Sequence, residues 1–203
     1  MFLKRIFFPG RDRFRCAMAS MGGVGSTALA RHIGSIADKT DREHAYSPAV
    51  YDDQSGLRLG YMFGNPYNSV LSIFRRGYQQ MHVAAMHAHS GTAPVGMRGV
   101  SIEEYLERGV DEFFIERQLD NWVGNLHPKH PTILIRYELL GDHIDEVLDF
   151  FACRKAFAVQ PRRSSWADQP EHIRKGLRKI YGSVHDKIEA LPAVRIMLPQ
   201  RAG

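Results

Sequence analysis

The apolar positions of this chain fall into two periods, and the periods alternate. An apolar run from Phe14 to Ala19 predicts a buried strand. Ala28 to Ala37 reads as a helix. Ala45 to Tyr51 reads as a weak strand or a loop. Leu57 to Phe63 predicts a second strand, closed by Gly64-Asn65-Pro66. From Asn68 to about Gln80, the spacing of Val70, Ile73, Phe74 and Tyr78 is helical. Residues 81–100 carry Gly91, Pro94, Gly96 and Gly99 and read as irregular. Ser101-Ile102-Glu103-Glu104 has the form of a capping box. It opens a long amphipathic helix with Tyr105, Leu106, Phe113, Leu119, Trp122 and Leu126 inward and an interruption expected at Gly109. Thr132 to Tyr137 predicts a further strand. Asp142 is placed to cap a helix carrying Ile144, Val147, Leu148 and Phe151. Asp168 and Pro170 begin a last helical region with Ile173, Leu177 and Ile180, with a break possible at Gly182.

Strands that alternate with helices imply an α/β fold with a mainly parallel sheet flanked by helices. The 203 residues suit a single domain, residues 1–203, with no internal repeat. Hydrophobic residues make up 44% of the chain, as in globular proteins. A net charge of +5 favours an anionic ligand. No RNA-type aromatic motif and no basic helix-turn-helix accompanies that charge, so nucleic acid is not the expected partner. Two cysteines, Cys16 and Cys153, are too few for a disulfide framework and read as reduced thiols. The basic, apolar start from Met1 to Phe8 is cut off at Pro9-Gly10, too short to span a bilayer. A cytoplasmic protein without stable membrane insertion is the expectation.

The chemistry begins at Met21-Gly22-Gly23-Val24-Gly25-Ser26-Thr27, between the first strand and the first helix. Glycines let the backbone take left-handed angles and approach a ligand closely. The helix start then offers unpaired N–H groups and a partial positive charge to a phosphate or sulfate. A Walker A loop would need a glycine where Ser20 stands and a lysine where Ser26 stands. A nucleotide hydrolase or small-metabolite kinase is therefore the weaker reading. Two further segments lie at ends of predicted strands, where ligands of such sheets bind. One runs from Tyr61 through Gly64-Asn65-Pro66 to Ser72. The other is Arg136-Tyr137-Glu138-Leu139.

In order and flanking structure, these three segments resemble the sulfotransferases that use 3'-phosphoadenosine-5'-phosphosulfate (PAPS). The resemblance runs from about Phe14 to Phe151. It implies a P-loop NTPase-like, sulfotransferase-like architecture, PAPS as co-substrate and no metal. The family grips the 5'-phosphosulfate with a strand–loop–helix, commonly Pro-Lys-Ser-Gly-Thr-Thr. Gly25, Ser26 and Thr27 match its last three residues, and Gly22, Gly23 and Val24 complete the loop. Asn65 and Pro66 match part of the family's Arg-Asn-Pro, and Ser72 sits where its 3'-phosphate serine sits. Tyr137 and Glu138 match its Tyr-Glu pair, which implies a contact from Tyr137 to adenine.

Two positions depart from the pattern. The family's loop lysine aligns with Gly23, and its arginine of Arg-Asn-Pro aligns with Gly64. A charge-assisted contact to phosphate contributes about 1.5–3 kcal/mol, so these cations need replacements. Arg75 and Arg76, one helical turn beyond Ser72, are candidates for the 3'-phosphate. Arg136, Arg162 and Arg163 are further candidates. A general base takes the proton of the acceptor hydroxyl. Relatives often place it between the first two motifs, where His44 and then Glu43 are the candidates here, with Asp52 and Asp53 behind them. The implied reaction is sulfuryl transfer to a hydroxyl of a carbohydrate or small metabolite.

Plainer readings stand beside these. The glycine loop could be an ordinary strand-to-helix turn. Ser72, Arg75 and Arg76 could be helix-face residues. A catalytically degenerate nucleotide-binding or interaction protein of the same fold is the main alternative. His82, His87 and His89 match no zinc spacing and read as part of a polar, mobile loop.

Overall fold

The structure, a computed structural model, describes residues 15–36, 44–160 and 165–199. Phe14, Ala37, Glu43, Arg162 and Arg163 lie outside the described residues, as does the basic start of the chain. Four strands form one sheet in the order β1 (Arg15–Ser20), β2 (Leu57–Phe63), β3 (Thr132–Arg136) and β4 (Val194–Met197). β1, β2 and β3 are parallel, and β4 returns antiparallel to β3. The fold is thus α/β with a mostly parallel sheet. β1–β3 are apolar almost throughout because helices cover both faces.

Alternation along β2 assigns those faces. Tyr61 points to one side and stacks on Trp122 of α5 (Ile115–Gly124), ring centroids 5.0 Å apart. Gly60 points to the other, where an added Cβ would lie 2.7 Å from the Phe151 ring. That ring follows α6 (Leu140–Phe150). Any side chain at position 60 would therefore lift α6 off the sheet, at about 1–3 kcal/mol. One apolar cluster joins both faces, from Met18 and Leu59 to Trp122, Leu148 and Tyr181.

The remaining helices are α1 (Ser26–Ile33), α2 (Pro66–Arg75), α3 (Gln79–Ser90), α4 (Ile102–Arg108) and α7 (Glu171–Glu189). Several departures from the pattern-based expectation have physical causes. α1 stops early because Gly34 takes a left-handed cap. Asn65 caps α2 by accepting from the Asn68 N–H at 3.1 Å, and Pro66 occupies its first turn. Residues 45–51 are not a strand: 45–47 are irregular, and Pro48–Tyr51 is a single 3-10 turn. Residues 81–100 are not all irregular: α3 fills the first half, and Gly91 is its left-handed cap. His82, His87 and His89 accordingly sit on a helix, with His82 and His87 buried.

The capping box at Ser101 and Glu104 is formed, but its helix is split by Gly109 into α4 and α5. Leu126 lies beyond α5 and is exposed, not inward. β3 ends at Arg136, and Tyr137–Leu139 form a 3-10 turn before α6. Asp142 lies in the first turn of α6 rather than at its cap, favourable there through the helix dipole. α7 is unbroken at Gly182. Among the described residues no helix is long and apolar enough to cross a membrane. Both cysteines are free thiols, and burial pushes the Cys16 thiol up to about 11.

Candidate functional site

The C-terminal ends of β1, β2 and β3 carry the three segments singled out in the sequence, and they meet. After Ser20 the chain turns through Gly22, Gly23 and Gly25, all with positive φ, and Gly25 is the cap of α1. Each glycine is required by what lies beside it. A Cβ at Gly22 would sit 2.8 Å from Cε1 of His82. At Gly23 it would lie 2.7 Å from the Ser69 carbonyl oxygen. At Gly25 it would lie 2.9 Å from the Tyr137 ring. The loop therefore threads between α3, α2 and the turn after β3. Met21 and Val24 of the loop are fully buried, and Val24 lines neither of the two cavities described next.

Ser20 organises the loop. Its hydroxyl accepts from the Ser26 hydroxyl at 2.8 Å and from the Gly22 N–H at 3.4 Å. His44 Nδ1 lies 3.1 Å from the Ser20 carbonyl, an oxygen that can only accept. Nδ1 therefore carries a proton, which in the neutral ring leaves the lone pair on Nε2. Gln118 holds the same corner: its side-chain N–H groups point to the carbonyls of Ser20, His44 and Ala45 at 3.0–3.3 Å. Tyr61 donates in turn to the Gln118 Oε1 at 3.2 Å, and the Trp122 N–H donates to Ala45. Gln118 is not singled out by the sequence, because its role depends on carbonyls far away in the chain.

Two adjoining cavities open on this loop. The first holds about 410 Å³ between Gly23, Gly25, Ser72, Arg75, Arg76 and Tyr137. Phe157, Val159 and Gln160 close its far side, and the Tyr137 hydroxyl donates to the Gln160 carbonyl at 3.0 Å. The second holds about 740 Å³ and is bounded by the glycine loop, Thr27, Arg31, His44 and α3. Gly23, Gly25, Ser72 and Arg76 line both. Such volumes are those of small-molecule sites.

The two departures have steric explanations. A lysine at position 23 is excluded by the φ of +67° and by the α2 backbone, which fills the space its Cβ needs. At Gly64 a Cβ would meet the Glu138 carboxylate at 2.7 Å. That carboxylate accepts from the Asn65 N–H at 2.9 Å and so occupies the path of an arginine side chain. Three arginines remain at the cavities: Arg75 on the first, Arg31 on the second and Arg76 on both. Arg136 does not reach them, because it is ion-paired with Glu189.

His82 is buried against Phe113 and lies 4.8 Å, ring to ring, from His44. Burial, and next the nearby His44, hold its pKa well below the usual 6.5. It is neutral at physiological pH, and its Nε2 has no protein partner. His87 and His89 do not join it; no group of three or more metal-ligating side chains is assembled among the described residues. Asp52 and Asp53 lie on the opposite side of the 3-10 turn, where Asp52 pairs with His127 at 2.9 Å. Comparison with protein-family models, characterised proteins and solved structures finds no match to this chain.

Proposed function

We propose that the protein transfers a sulfuryl group from PAPS to the hydroxyl of a small acceptor. The observation that carries this reading is the pair of adjoining cavities with a shared wall of Gly23, Gly25, Ser72 and Arg76. A group-transfer enzyme with two substrates needs such a wall, because transfer takes place across it. The first cavity suits the nucleoside bisphosphate, with Tyr137 for the base and Ser72, Arg75 and Arg76 for the 3'-phosphate. The N–H groups of Gly25, Ser26 and Thr27 at the start of α1 suit the 5'-phosphosulfate.

In the reaction, the acceptor oxygen bonds to sulfur as the bond from sulfur to the 5'-phosphate oxygen breaks. Adenosine 3',5'-bisphosphate leaves with that electron pair. The acceptor proton passes to Nε2 of His44, whose lone pair is fixed by the Nδ1 contact to Ser20. In-line positioning and the arginines carry the rest, as in other loose, anionic transfers. The test is release of adenosine 3',5'-bisphosphate from PAPS that depends on an added alcohol. Transfer to no alcohol in a broad panel would overturn the enzyme reading.

A second reading is favoured by the Gly23 geometry, which bars the family's loop lysine, and by the Glu138 carboxylate beside Gly64. It is a nucleotide-binding protein without catalysis. Tight binding of the bisphosphate with no transfer from PAPS would select it.

A further inference from the structure

Gln118 on α5 is a fully buried amide that reaches carbonyls from two distant segments. Its Nε2 lies 3.2 Å from the carbonyl oxygen of Ser20, 3.3 Å from that of His44 and 3.0 Å from that of Ala45. A carbonyl can only accept, so these contacts fix which end of the amide is nitrogen. Oε1 then faces Tyr61, whose hydroxyl donates to it at 3.2 Å. Burial pushes the Tyr61 phenol well above its usual pKa, so that proton stays in place. The Tyr61 ring is stacked on Trp122, 4° from parallel, and the Trp122 N–H donates to the Ala45 carbonyl at 2.9 Å.

The Ser20 carbonyl is where this network meets His44. It accepts from Gln118 and lies 3.1 Å from Nδ1 of His44. The same amide nitrogen holds the backbone carbonyl of His44. One side chain therefore ties down both ends of the contact that decides where the His44 proton sits. An imidazole without such a contact exchanges between two neutral forms, and the form with a proton on Nε2 cannot accept another there. An apolar residue at position 118 could fill the space, but it would leave buried carbonyls unpaired and the Ser20–His44 contact unset.

We infer that Gln118, held by Tyr61, is a positioning residue for His44: it keeps the ring in its Nδ1–H form and leaves Nε2 for the second cavity, which His44 lines. Its bearing on catalysis rests on the sulfuryl transfer proposed above, in which Nε2 receives the acceptor proton.

The experiment reads the His44 ring in the full chain. Nitrogen NMR of the imidazoles distinguishes the two neutral forms, and the signals lost in His44→Gln identify that ring. Above the pH at which histidine titrates, the parent should show His44 in the Nδ1–H form. Gln118→Met keeps the length and removes the donors, and it should turn the His44 signals into a mixture of both forms. Tyr61→Phe keeps the ring for the stack on Trp122 and frees the amide to turn, so it should do the same in part. With PAPS and an acceptor alcohol, Gln118→Met should lose about 10–100-fold in kcat, the cost of a misplaced reacting group, with bisphosphate affinity by calorimetry unchanged. A merely structural Gln118 would lower the melting temperature and leave the His44 spectrum as in the parent. That result, or a parent His44 in the Nε2–H form, would overturn the inference. Should Gln118→Met fail to fold, the His44 spectrum of Tyr61→Phe decides alone. Absence of transfer by the parent would overturn the proposed function instead, while the ring spectra still decide the role of Gln118.

Discussion

Two pairs of histidines sit at opposite ends of the sheet, and only one of them faces open space. His127 and His130 stack with centroids 4.3 Å apart just before β3 begins. His44 and His82 lie 4.8 Å apart beyond the end of β1. His82, His127 and His130 are all buried, and burial depresses the pKa of each. Burial and a shifted pKa therefore do not separate function from structure here. What they face does. His127 Nδ1 accepts from the backbone N–H groups of Lys129 and His130, and its Nε2 lies 2.9 Å from Asp52. The Nε2 of His130, like that of His82, is buried without a hydrogen-bond partner, but neither His127 nor His130 lines either of the two cavities. His44 and His82 line a cavity of about 740 Å³, and His44 spends only Nδ1. A histidine with an uncommitted nitrogen next to a cavity is available for chemistry; one held in a turn away from it is a brace.

The sharpest contrast comes from truncating one member of each pair. His44→Ala should cut sulfuryl transfer by roughly 10²–10⁴-fold, the range for losing a general base, with bisphosphate affinity little changed. His127→Ala should lower the melting temperature and leave transfer per folded molecule unchanged. Steady-state kinetics and calorimetry on the two variants measure this, and a reversal of the two outcomes would break the comparison.

Next in size is the loop. Gly23→Lys restores the residue the family carries, yet it should destabilise the fold by about 2–4 kcal/mol through left-handed strain and overpacking against α2. A denaturant midpoint unchanged from the parent would show that the Gly23 geometry is wrong.

Arg76 lines both cavities. Arg76→Ala should weaken adenosine 3',5'-bisphosphate by about 10–100-fold, the loss of one charge-assisted phosphate contact. Ser72→Ala should weaken the bisphosphate more than it weakens adenosine 5'-phosphate, which lacks the 3' group. Equal losses for the two ligands would remove Ser72 from the 3'-phosphate.

The smallest effect is on stability with pH. The unfolded chain protonates His82, His127 and His130 below about pH 6.5, while in the folded one burial lowers the pKa of each. The unfolded state then binds more protons, so stability is full above that pH and falls as pH drops below it. The slope for His82 is at most about 1.4 kcal/mol per pH unit. His82→Phe, which keeps the packing on Phe113, should flatten the slope by its own share and leave the share of His127 and His130. Urea melts at pH 5 and pH 7 would read the difference; an unaltered slope would mean that His82 does not resist protonation in the fold.

Much of this could be read along the chain, because strands and glycine turns are local. The runs at Leu57–Phe63 and Thr132–Arg136 are continuous apolar stretches bounded by turn residues, and both are strands. The glycine loop and the turn at Asn65-Pro66 were legible for the same reason, although the role of Asn65 as cap of α2 was not. α3 was hidden because three histidines break its apolar stripe and the glycines that follow it dominate the region. Its alanines, glutamines and methionines are nonetheless good helix formers. β4 was missed as a four-residue segment at the sheet edge, short of any periodic signal. At the site, the loop residues could be named in advance. Gln118 and the residues of α3 that line the second cavity could not, because each is brought there by packing between distant segments. The meaning of Gly23 and Gly64 also needed three dimensions. In sequence they are missing cations; in the fold the Ser69 backbone leaves no room at Gly23, and the Glu138 carboxylate sits against Gly64.

The central claim is that the three strand ends form one site for a 3'-phosphorylated adenine nucleotide. Thermal unfolding with adenosine 3',5'-bisphosphate, adenosine 5'-phosphate and ATP tests it most directly. At about 100 times its dissociation constant, the bisphosphate should add about 2.7 kcal/mol, on the order of 5–10 °C for a chain of this size, and should exceed both other nucleotides. No shift at millimolar bisphosphate with a folded sample, or an equal shift from adenosine 5'-phosphate, would contradict it.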